Sequence, residues 1–266
     1  MSYKIGLKLW SLNENYIAPA KELYERGEYD YIELYAVPNS LQMLPLWKNL
    51  AKDCGVKFAI HAPHFSSGLD FSNPNKQRYN LELCEQVKRY SGELEAVYTV
   101  FHPGIGGSID ESVRQMKMVK NLKFAIENKP YIVPMDNGTA FCVGADFLSI
   151  KQILDEVGCE FCLDAGHALC SANYQGLNPY EYIAKLNELN PKIYHLSDND
   201  ENSKFDAHMH FGDGSIDLAR VLKLLRGGEF LAIETIKDSK ENDITPSCWI
   251  NPKHQNRNNR IQESAN

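Results

Sequence analysis

The chain has 266 residues, of which 43% are hydrophobic and 24% are charged, and its formal net charge is −7 at pH 7. This length allows one large domain, and the composition is that of an ordinary soluble protein. The acidic balance argues against a broad basic face for nucleic acid, and no apolar run approaches the roughly 18 residues of a membrane helix.

The cysteine content and the N-terminal segment indicate the compartment. Seven cysteines, an odd number, argue against a complete disulfide framework and favour a reducing environment. No apolar segment typical of a secretory signal follows Met1. We therefore expect a cytoplasmic protein that does not bind membranes.

Apolar segments with the length of strands recur along the chain and alternate with segments that have helical spacing. Examples of the latter are AKELYERG after the first strand and DESVRQMKMVKNLKFAIEN after the fourth. The predicted strands are Lys4–Trp10, Tyr31–Tyr35, Lys57–His61, Val97–His102, Tyr131–Asp136, Phe161–Asp164, Ile193–Ser197 and Phe230–Glu234. Eight strands alternating with helices predict an α/β protein, a closed (β/α)8 barrel rather than an open doubly wound sheet.

The barrel is predicted to occupy residues 1–237. Residues 238–266 form a polar tail, predicted to be partly disordered, so the eighth helix is expected to be irregular or missing. No GxGxxG follows the first strand and no GxxxxGK[ST] occurs, so the signatures of dinucleotide and phosphate-loop folds are lacking.

Histidine or a carboxylate stands at or just beyond the ends of six predicted strands. In a (β/α)8 barrel these ends share one rim, which carries the catalytic residues. Imidazole and carboxylate bind zinc, manganese and magnesium, so the pattern predicts a metal centre. The candidate ligands are His61, His102, Asp136, Asp164, His167, His195, Asp206, His208 and Glu234. Nine groups exceed what one ion can use, so either two or three ions bind or several of these residues contact substrate instead.

Four further residues near the predicted rim are candidates for substrate binding. Trp10 ends the first strand and can stack on a sugar ring, and Glu33 lies where a polar small molecule can be gripped. His64 and His210 lie a short step from candidate ligands and can hydrogen-bond a substrate.

The motifs HAP, FHPG, D-x-G-H, H-L-S-D, D-x-H-x3-G-x-G-x-I-D and E-T, taken together, resemble those of the xylose isomerase-like barrel superfamily. The resemblance extends from Lys4 to Thr235. That superfamily includes sugar and sugar-phosphate isomerases and epimerases as well as endonuclease IV.

The epimerase branch implies one divalent ion on Asp136, Asp164, His195 and Glu234. The ion would stabilise an enediolate while carboxylates move a proton next to the carbonyl, with Glu234 and Asp136 as the catalytic residues. Asp136 departs from this pattern, because glutamate is usual at that position.

The endonuclease IV branch implies three zinc ions on all nine candidate ligands, with Asp136 again in place of glutamate. The first strand lacks the G-x-H start of that branch, and the loop APHFSSGLDFSNPN lacks basic residues for tracking phosphates.

The sequence therefore favours a divalent-metal-dependent isomerase or epimerase of a sugar or sugar phosphate, with one to three ions of zinc or manganese. Two alternatives remain open: a zinc phosphodiesterase that cuts abasic DNA, and a barrel that binds sugar or metal without turnover. Nucleic acid is a partner only in the first alternative. Barrels of this superfamily often pair, so a homodimer is also an expectation.

Overall fold

The computed structural model describes residues 3–235, which form a barrel with an outer layer of helices. The strands in chain order are β1 (Lys4–Trp10), β2 (Tyr31–Tyr35), β3 (Lys57–His61), β4 (Thr99–Phe101), β5 (Gly104–Ile105), β6 (Ala125–Glu127), β7 (Ile132–Met135), β8 (Gly138–Val143), β9 (Glu160–Asp164), β10 (Ile193–Leu196) and β11 (Phe230–Ile233). The barrel closes in the order β1-β2-β3-β4-β6-β9-β10-β11, with every pair parallel, and the other three strands form a small antiparallel sheet. The predicted (β/α)8 barrel is confirmed.

Helices surround this barrel and connect its strands. They are α1 (Ile17–Glu25), α2 (Leu44–Cys54), α3 (Gln77–Glu93), α4 (Ile109–Met116), α5 (Phe147–Val157), α6 (Ala165–Gln175), α7 (Pro179–Asn187) and α8 (Leu218–Leu224). Their apolar faces recur at helical spacing, as with Leu83, Val87 and Tyr90 of α3, which are buried against the barrel. A capping box between Asp146 and Ser149 begins α5.

Aromatic rings fill the interior of the barrel below the carboxyl ends of the strands. Tyr31, Tyr98 and Phe230 contact one another edge to face, with ring centroids 5.0–5.8 Å apart. Gly6 makes room for them, because a Cβ at this position would lie 2.3 Å from the Tyr31 ring. The barrel is therefore closed by packed side chains at one end and carries its polar groups at the other.

The predicted fifth strand, Tyr131–Asp136, contains a strand in the structure, but that strand is not part of the barrel. The fifth strand of the barrel is β6, which pairs with β4 on one side and β9 on the other. Its residues belong to the segment that the apolar spacing had predicted as helix, but α4 ends at Met116. A strand of three residues is too short for a period-two pattern, so the helical spacing of the preceding residues dominated the prediction.

The segment with the apolar run IVPM instead forms β7 of an antiparallel hairpin with β8. Asp136 lies in the two-residue turn between them and is exposed. The hairpin is anchored by β5, which pairs with the end of β8.

The tail 238–266 and the predicted irregularity of the eighth helix lie outside the described residues. Between residues 3 and 235, no helix combines the length and apolar character needed to cross a membrane.

Candidate metal centre

Glu127 is fully buried at the end of β6, and four histidines from other strands and from α6 surround its carboxylate. Its Oε2 lies 3.1 Å from His61 Nε2, 3.0 Å from His102 Nε2 and 3.2 Å from His195 Nδ1. Its Oε1 lies 2.9 Å from His167 Nδ1. The parallel register brings these strand ends together, and one carboxylate joins all four imidazoles.

His167 Nδ1 lies 2.9 Å from the carbonyl of Asn128, and two other histidines have one ring nitrogen occupied by a partner outside the cluster. His61 Nδ1 lies 2.7 Å from the carbonyl of Ala62, and His195 Nε2 lies 3.0 Å from Glu33 Oε2. When these nitrogens donate and the ring is neutral, as the ring of a metal-binding histidine is, the opposite nitrogen presents a lone pair to Glu127. Partners of this kind set the tautomer and the direction of metal-binding histidines.

The D-x-x-H spacing of Asp164 and His167 is explained by the start of α6. Asp164 ends β9 and is the N-cap of α6, where its Oδ1 accepts a hydrogen bond of 2.6 Å from the backbone N–H of His167. This bond leaves Asp164 Oδ2 buried without a hydrogen-bond partner among the described residues. The side chain of Asn128 holds the same strand end by bonding both backbone groups of Asp164.

The loop after β10 supplies the remaining two candidate ligands. Asp206 Oδ2 lies 2.8 Å from His208 Nδ1 and 3.4 Å from His167 Nε2. Asp198 holds this loop in place, since its carboxylate accepts from the backbone N–H groups of Asn199 and Gly212 at 2.8 and 2.6 Å. His208 has a φ of 47°, a left-handed backbone conformation that costs energy in a non-glycine residue.

Lys8 is a buried residue of the site that the sequence did not reveal. Its ammonium contacts Glu234 and lies 3.3 Å from Glu33 Oε1, and both carboxylates are also close to His195. Tyr98 donates a 2.7 Å hydrogen bond to Glu33 Oε2. The result is a network beneath the cluster that fixes Glu234 and His195.

These contacts shift the pKa values of the buried acids and bases. Burial opposes ionisation of Glu33, but the positive charges of His195 and Lys8 outweigh it and lower its pKa to about 2. Burial lowers the pKa of Lys8, whereas the charges of Glu234 and Glu33 exceed this effect and raise it. Burial likewise lowers the pKa of His167, while the charge of Asp164 raises it to about 10.

Several buried side-chain nitrogen and oxygen atoms of this cluster have no hydrogen-bond partner among the described residues. Five of them are His102 Nδ1, Glu127 Oε1, Asp164 Oδ2, His195 Nδ1 and Glu234 Oε2. Burying a polar atom without a hydrogen-bond partner costs free energy of folding. Three of these atoms each lie within 3.2 Å of a ring nitrogen or carboxylate oxygen of another residue: Glu127 Oε1, His195 Nδ1 and Glu234 Oε2. Cations between such atoms would satisfy them, so the residues present fit a metal centre.

Ligand atoms of the cluster fall into groups whose members all lie within 4.8 Å of one another. Three of these groups share only some of their residues. The residues of one group lie in α6, at its N-cap and in the loop after β10. The three groups are His61, His102 and Glu127; Glu127, Asp164, His195 and Glu234; and Asp164, His167 and His208. Imidazole and carboxylate in groups of three and four are typical ligands of zinc.

Eight of the nine predicted ligands converge as the strand-end pattern predicted, and Asp136 does not. Asp136 lies in the exposed turn of the β7–β8 hairpin and in none of these groups of ligand atoms, and its metal and catalytic roles stay a prediction. Glu127 instead lies at the centre of the cluster, next to all four imidazoles.

The four predicted substrate-binding residues have different positions. Trp10 is exposed at the rim and lies against Tyr35, and His64 stacks on His102 with ring centroids 6.0 Å apart. His210 is partly buried in the loop after β10. Glu33, in contrast, is fully buried beneath the cluster, where it contacts His195, and its contact with a substrate stays a prediction.

Residues 21–263 match the family model of the xylose isomerase-like TIM barrel. The chain belongs to this family. Among solved structures, a D-tagatose 3-epimerase-like protein superposes with a TM-score of 0.69 at 19% identity, and the match covers 98% of each chain. Endonuclease IV from Thermus thermophilus gives a TM-score of 0.67 at 18% identity, also over 98% of each chain.

Among curated proteins, a probable endonuclease 4 from Mycoplasmopsis synoviae is 24% identical over 237 residues. The alignment covers 85% of this chain and 78% of that protein. This curated protein is thus a probable endonuclease, and the fold is shared with a D-tagatose 3-epimerase-like protein and with an endonuclease IV.

Proposed function

We propose that this xylose isomerase-like barrel is a hydrolase of phosphate esters that uses several divalent metal ions. The observation that carries the proposal is that eight candidate ligands form three groups, two of which share Glu127, while Asp206 contacts His167 and His208 beside them. An epimerase with a single ion needs only the group of Glu127, Asp164, His195 and Glu234. The additional histidines and Asp206 extend the ligand set beyond that group.

Clustered divalent ions would lower the pKa of water and neutralise charge on a phosphoryl group. The chain's own residues prepare the site for this chemistry. The carbonyl of Ala62 orients His61, and Glu33 orients His195, so their free nitrogens point at Glu127. Lys8 holds the carboxylate of Glu234 at the same cluster. Ligands held in this way need little rearrangement when ions bind.

The rim favours a small substrate over duplex DNA. The loop after β2 reads AVPNS and contains no lysine or arginine, and in the connection from β3 to α3 the one basic residue is Lys76, next to the start of α3. Proteins that bind duplex DNA neutralise several phosphates with basic side chains. The exposed ring of Trp10 at this rim instead suits stacking on a sugar. A sugar phosphate matches both features.

A second candidate function, isomerisation or epimerisation of a sugar, is favoured by the relation of Glu127 to Glu234. Their carboxylates lie 3.2 and 2.9 Å from the same nitrogen, His195 Nδ1. Two carboxylates at one binding position can remove a proton from one face of a carbon and return it to the other. This function would need one ion rather than several.

The test uses full-length protein loaded with zinc or manganese and a panel of sugar phosphates, with an abasic DNA duplex assayed in parallel. We expect release of inorganic phosphate that a chelator abolishes and that is lost in Glu127→Gln but retained in Asp136→Asn. Exchange of a substrate C–H proton with solvent, without phosphate release, would overturn the proposal in favour of the epimerase. Cutting of abasic DNA with inert sugar phosphates would overturn it in favour of the endonuclease.

A further inference from the structure

We propose that Cys162 is a metal ligand, which with Glu127 and His195 forms an inner position for a zinc ion below the rim of the barrel. Cys162 lies inside strand β9 and not at its end, so the strand-end pattern of histidines and carboxylates does not include it. The inference goes beyond the proposed function, because it concerns which metal ion the centre selects and holds for a hydrolase and an epimerase alike.

The register of the barrel places the side chain of Cys162 in the interior, next to the cluster. Cys162 pairs with Glu127 of β6 on one side and with Ile193 of β10 on the other. Paired residues of neighbouring strands point to the same face of a sheet, and residues two apart along a strand share that face. Cys162 therefore lies beside Glu127 and deeper in the barrel than Asp164 and His195, which pair with each other two residues further on.

The sulfur of Cys162 is close to two candidate ligands of the centre. Its Sγ, a ring nitrogen of His195 and a carboxylate oxygen of Glu127 all lie within 4.8 Å of one another. Glu127 Oε2 and His195 Nδ1 are themselves 3.2 Å apart. Zinc binds sulfur at about 2.3 Å and nitrogen or oxygen at about 2.0–2.2 Å, so atoms this close need only small movements to share one ion.

Two observations distinguish this thiol from that of an ordinary core cysteine. Cys84 and Cys170 are also buried, but among residues 3–235 neither belongs to such a group of ligand atoms. Next to Cys162, in contrast, Glu127 Oε1 and His195 Nδ1 are buried without a hydrogen-bond partner among the described residues. A cation held by the sulfur, the carboxylate and the imidazole would satisfy polar atoms that are costly to leave unpaired.

The residues that pack around Cys162 away from the cluster are apolar. Val100, Ala125 and Ile193 form one buried hydrophobic cluster with it. The thiol therefore lies at the boundary between the apolar interior of the barrel and the polar centre. An ion at this depth needs anionic ligands close to it, and a thiolate and the carboxylate of Glu127 supply them.

A sulfur ligand decides between the metals that the other ligands accept. Imidazole suits zinc and carboxylate suits magnesium and manganese, whereas thiolate favours zinc over both of these. The inner position is thus selective for zinc. Cobalt(II), which binds the same kinds of ligand, is the spectroscopic probe.

The experiment exchanges cobalt(II) for the bound metal of the full-length, reduced protein and records near-ultraviolet absorption, where charge transfer from a thiolate to cobalt gives an intense band. Wild-type protein and Cys162→Ser are compared, with Cys84→Ser as the matched control, because Cys84 is also buried but lies in α3. We expect the band in wild type and in Cys84→Ser, and its loss in Cys162→Ser. Zinc should displace cobalt and remove the band, whereas manganese at the same concentration should leave it.

Cobalt that binds wild-type protein without this band, or a band of equal strength in Cys162→Ser, would overturn the inference and leave Cys162 as a core side chain. Displacement by manganese as readily as by zinc would overturn the selectivity. If Cys162→Ser does not fold, Cys162→Ala provides the same comparison. Because the spectra are recorded without substrate, a protein that shows the Cys162-dependent band but releases no phosphate would refute the proposed hydrolase and leave this inference standing.

Discussion

Glu127 Oε2 lies 3.1 Å from His61 Nε2, although 66 positions separate the two residues in the chain. Both side chains are almost fully buried, and His61 already has a partner for its other ring nitrogen in the carbonyl of Ala62. A carboxylate oxygen and an imidazole lone pair that face each other repel unless a proton or a cation lies between them. This pair belongs to one of the groups of ligand atoms that could hold a metal ion.

The first prediction concerns metal content. Glu127→Gln should lose at least one bound ion, because Glu127 belongs to three groups of ligand atoms and an amide is a poorer ligand than a carboxylate. Asp136→Asn, the matched control in the exposed turn, should keep the wild-type content. Elemental analysis of protein purified without chelators measures both, and equal loss in the two variants would contradict the assignment of Glu127.

The second prediction concerns the buried ion pairs of Lys8. Lys8→Met leaves Glu33 and Glu234 without their shared cation, and breaking a buried pair costs about 3–5 kcal/mol of unfolding free energy. Lys4→Met on the same strand removes an exposed pair with Glu229 and should cost less than about 1 kcal/mol. Urea unfolding of the metal-free proteins gives both values. A small effect at Lys8 would show that the network contributes little.

The third prediction concerns the loop that carries Asp206 and His208. Asp198→Ala removes the acceptor that holds the backbone of Asn199 and Gly212. The ion at the group of Asp164, His167 and His208 should bind more weakly, while the other groups keep theirs. Asp200→Ala, an exposed change in the same loop, is the control. Metal titration and proteolysis of the loop would reveal the difference, and identical curves would refute it.

The fourth prediction concerns pH. Burial lowers the pKa of His167 but the charge of Asp164 raises it to about 10, so His167 without metal is protonated at neutral pH. Because the pKa of His167 is higher in the folded state, its protonation adds to the free energy of unfolding of the metal-free protein. This contribution is complete below the pKa of about 6.5 that histidine has in the unfolded chain, and it is lost as the pH rises toward 10. A metal ligand must be deprotonated, so zinc binding should release protons and tighten about tenfold per pH unit for each proton released.

Calorimetry in two buffers with different ionisation enthalpies counts these protons. His64→Ala is the control, because burial and the charge of Lys129 lower the pKa of His64 to about 3, and it carries no proton to release. Zinc affinity that does not change between pH 6 and pH 8 would contradict the prediction.

The fifth prediction concerns packing below the site. Gly6→Ala places a methyl group 2.3 Å from the Tyr31 ring, and such overpacking should cost about 1–3 kcal/mol of unfolding free energy. Gly92→Ala in α3 meets no atom within 4 Å and should instead stabilise the helix by about 0.5–1 kcal/mol. Opposite shifts of the melting temperature are expected, and a neutral Gly6→Ala would show that the ring can move.

The sequence by itself determined the barrel and most of its rim. Alternation of strands and helices is a local pattern, and residues at the carboxyl ends of parallel strands must share one edge once the barrel closes. His61, His102, Asp164 and His195 could therefore be placed together without coordinates. Local spacing also accounted for His167, because the N-cap and the third residue of a helix lie on the same side.

Only the tertiary structure decided the centre of the site. The fifth strand has three residues, and it is defined by pairing with β4 and β9 rather than by a pattern of its own, so Glu127 remained hidden and Asp136 took its place in the prediction. In the sequence, Lys8 alternates with apolar residues as a solvent-facing side chain of a strand would, and the position of Glu33 predicts a contact with substrate. Closure of the barrel turns both side chains inward, where burial makes each the other's partner and places them beneath the candidate metal ligands.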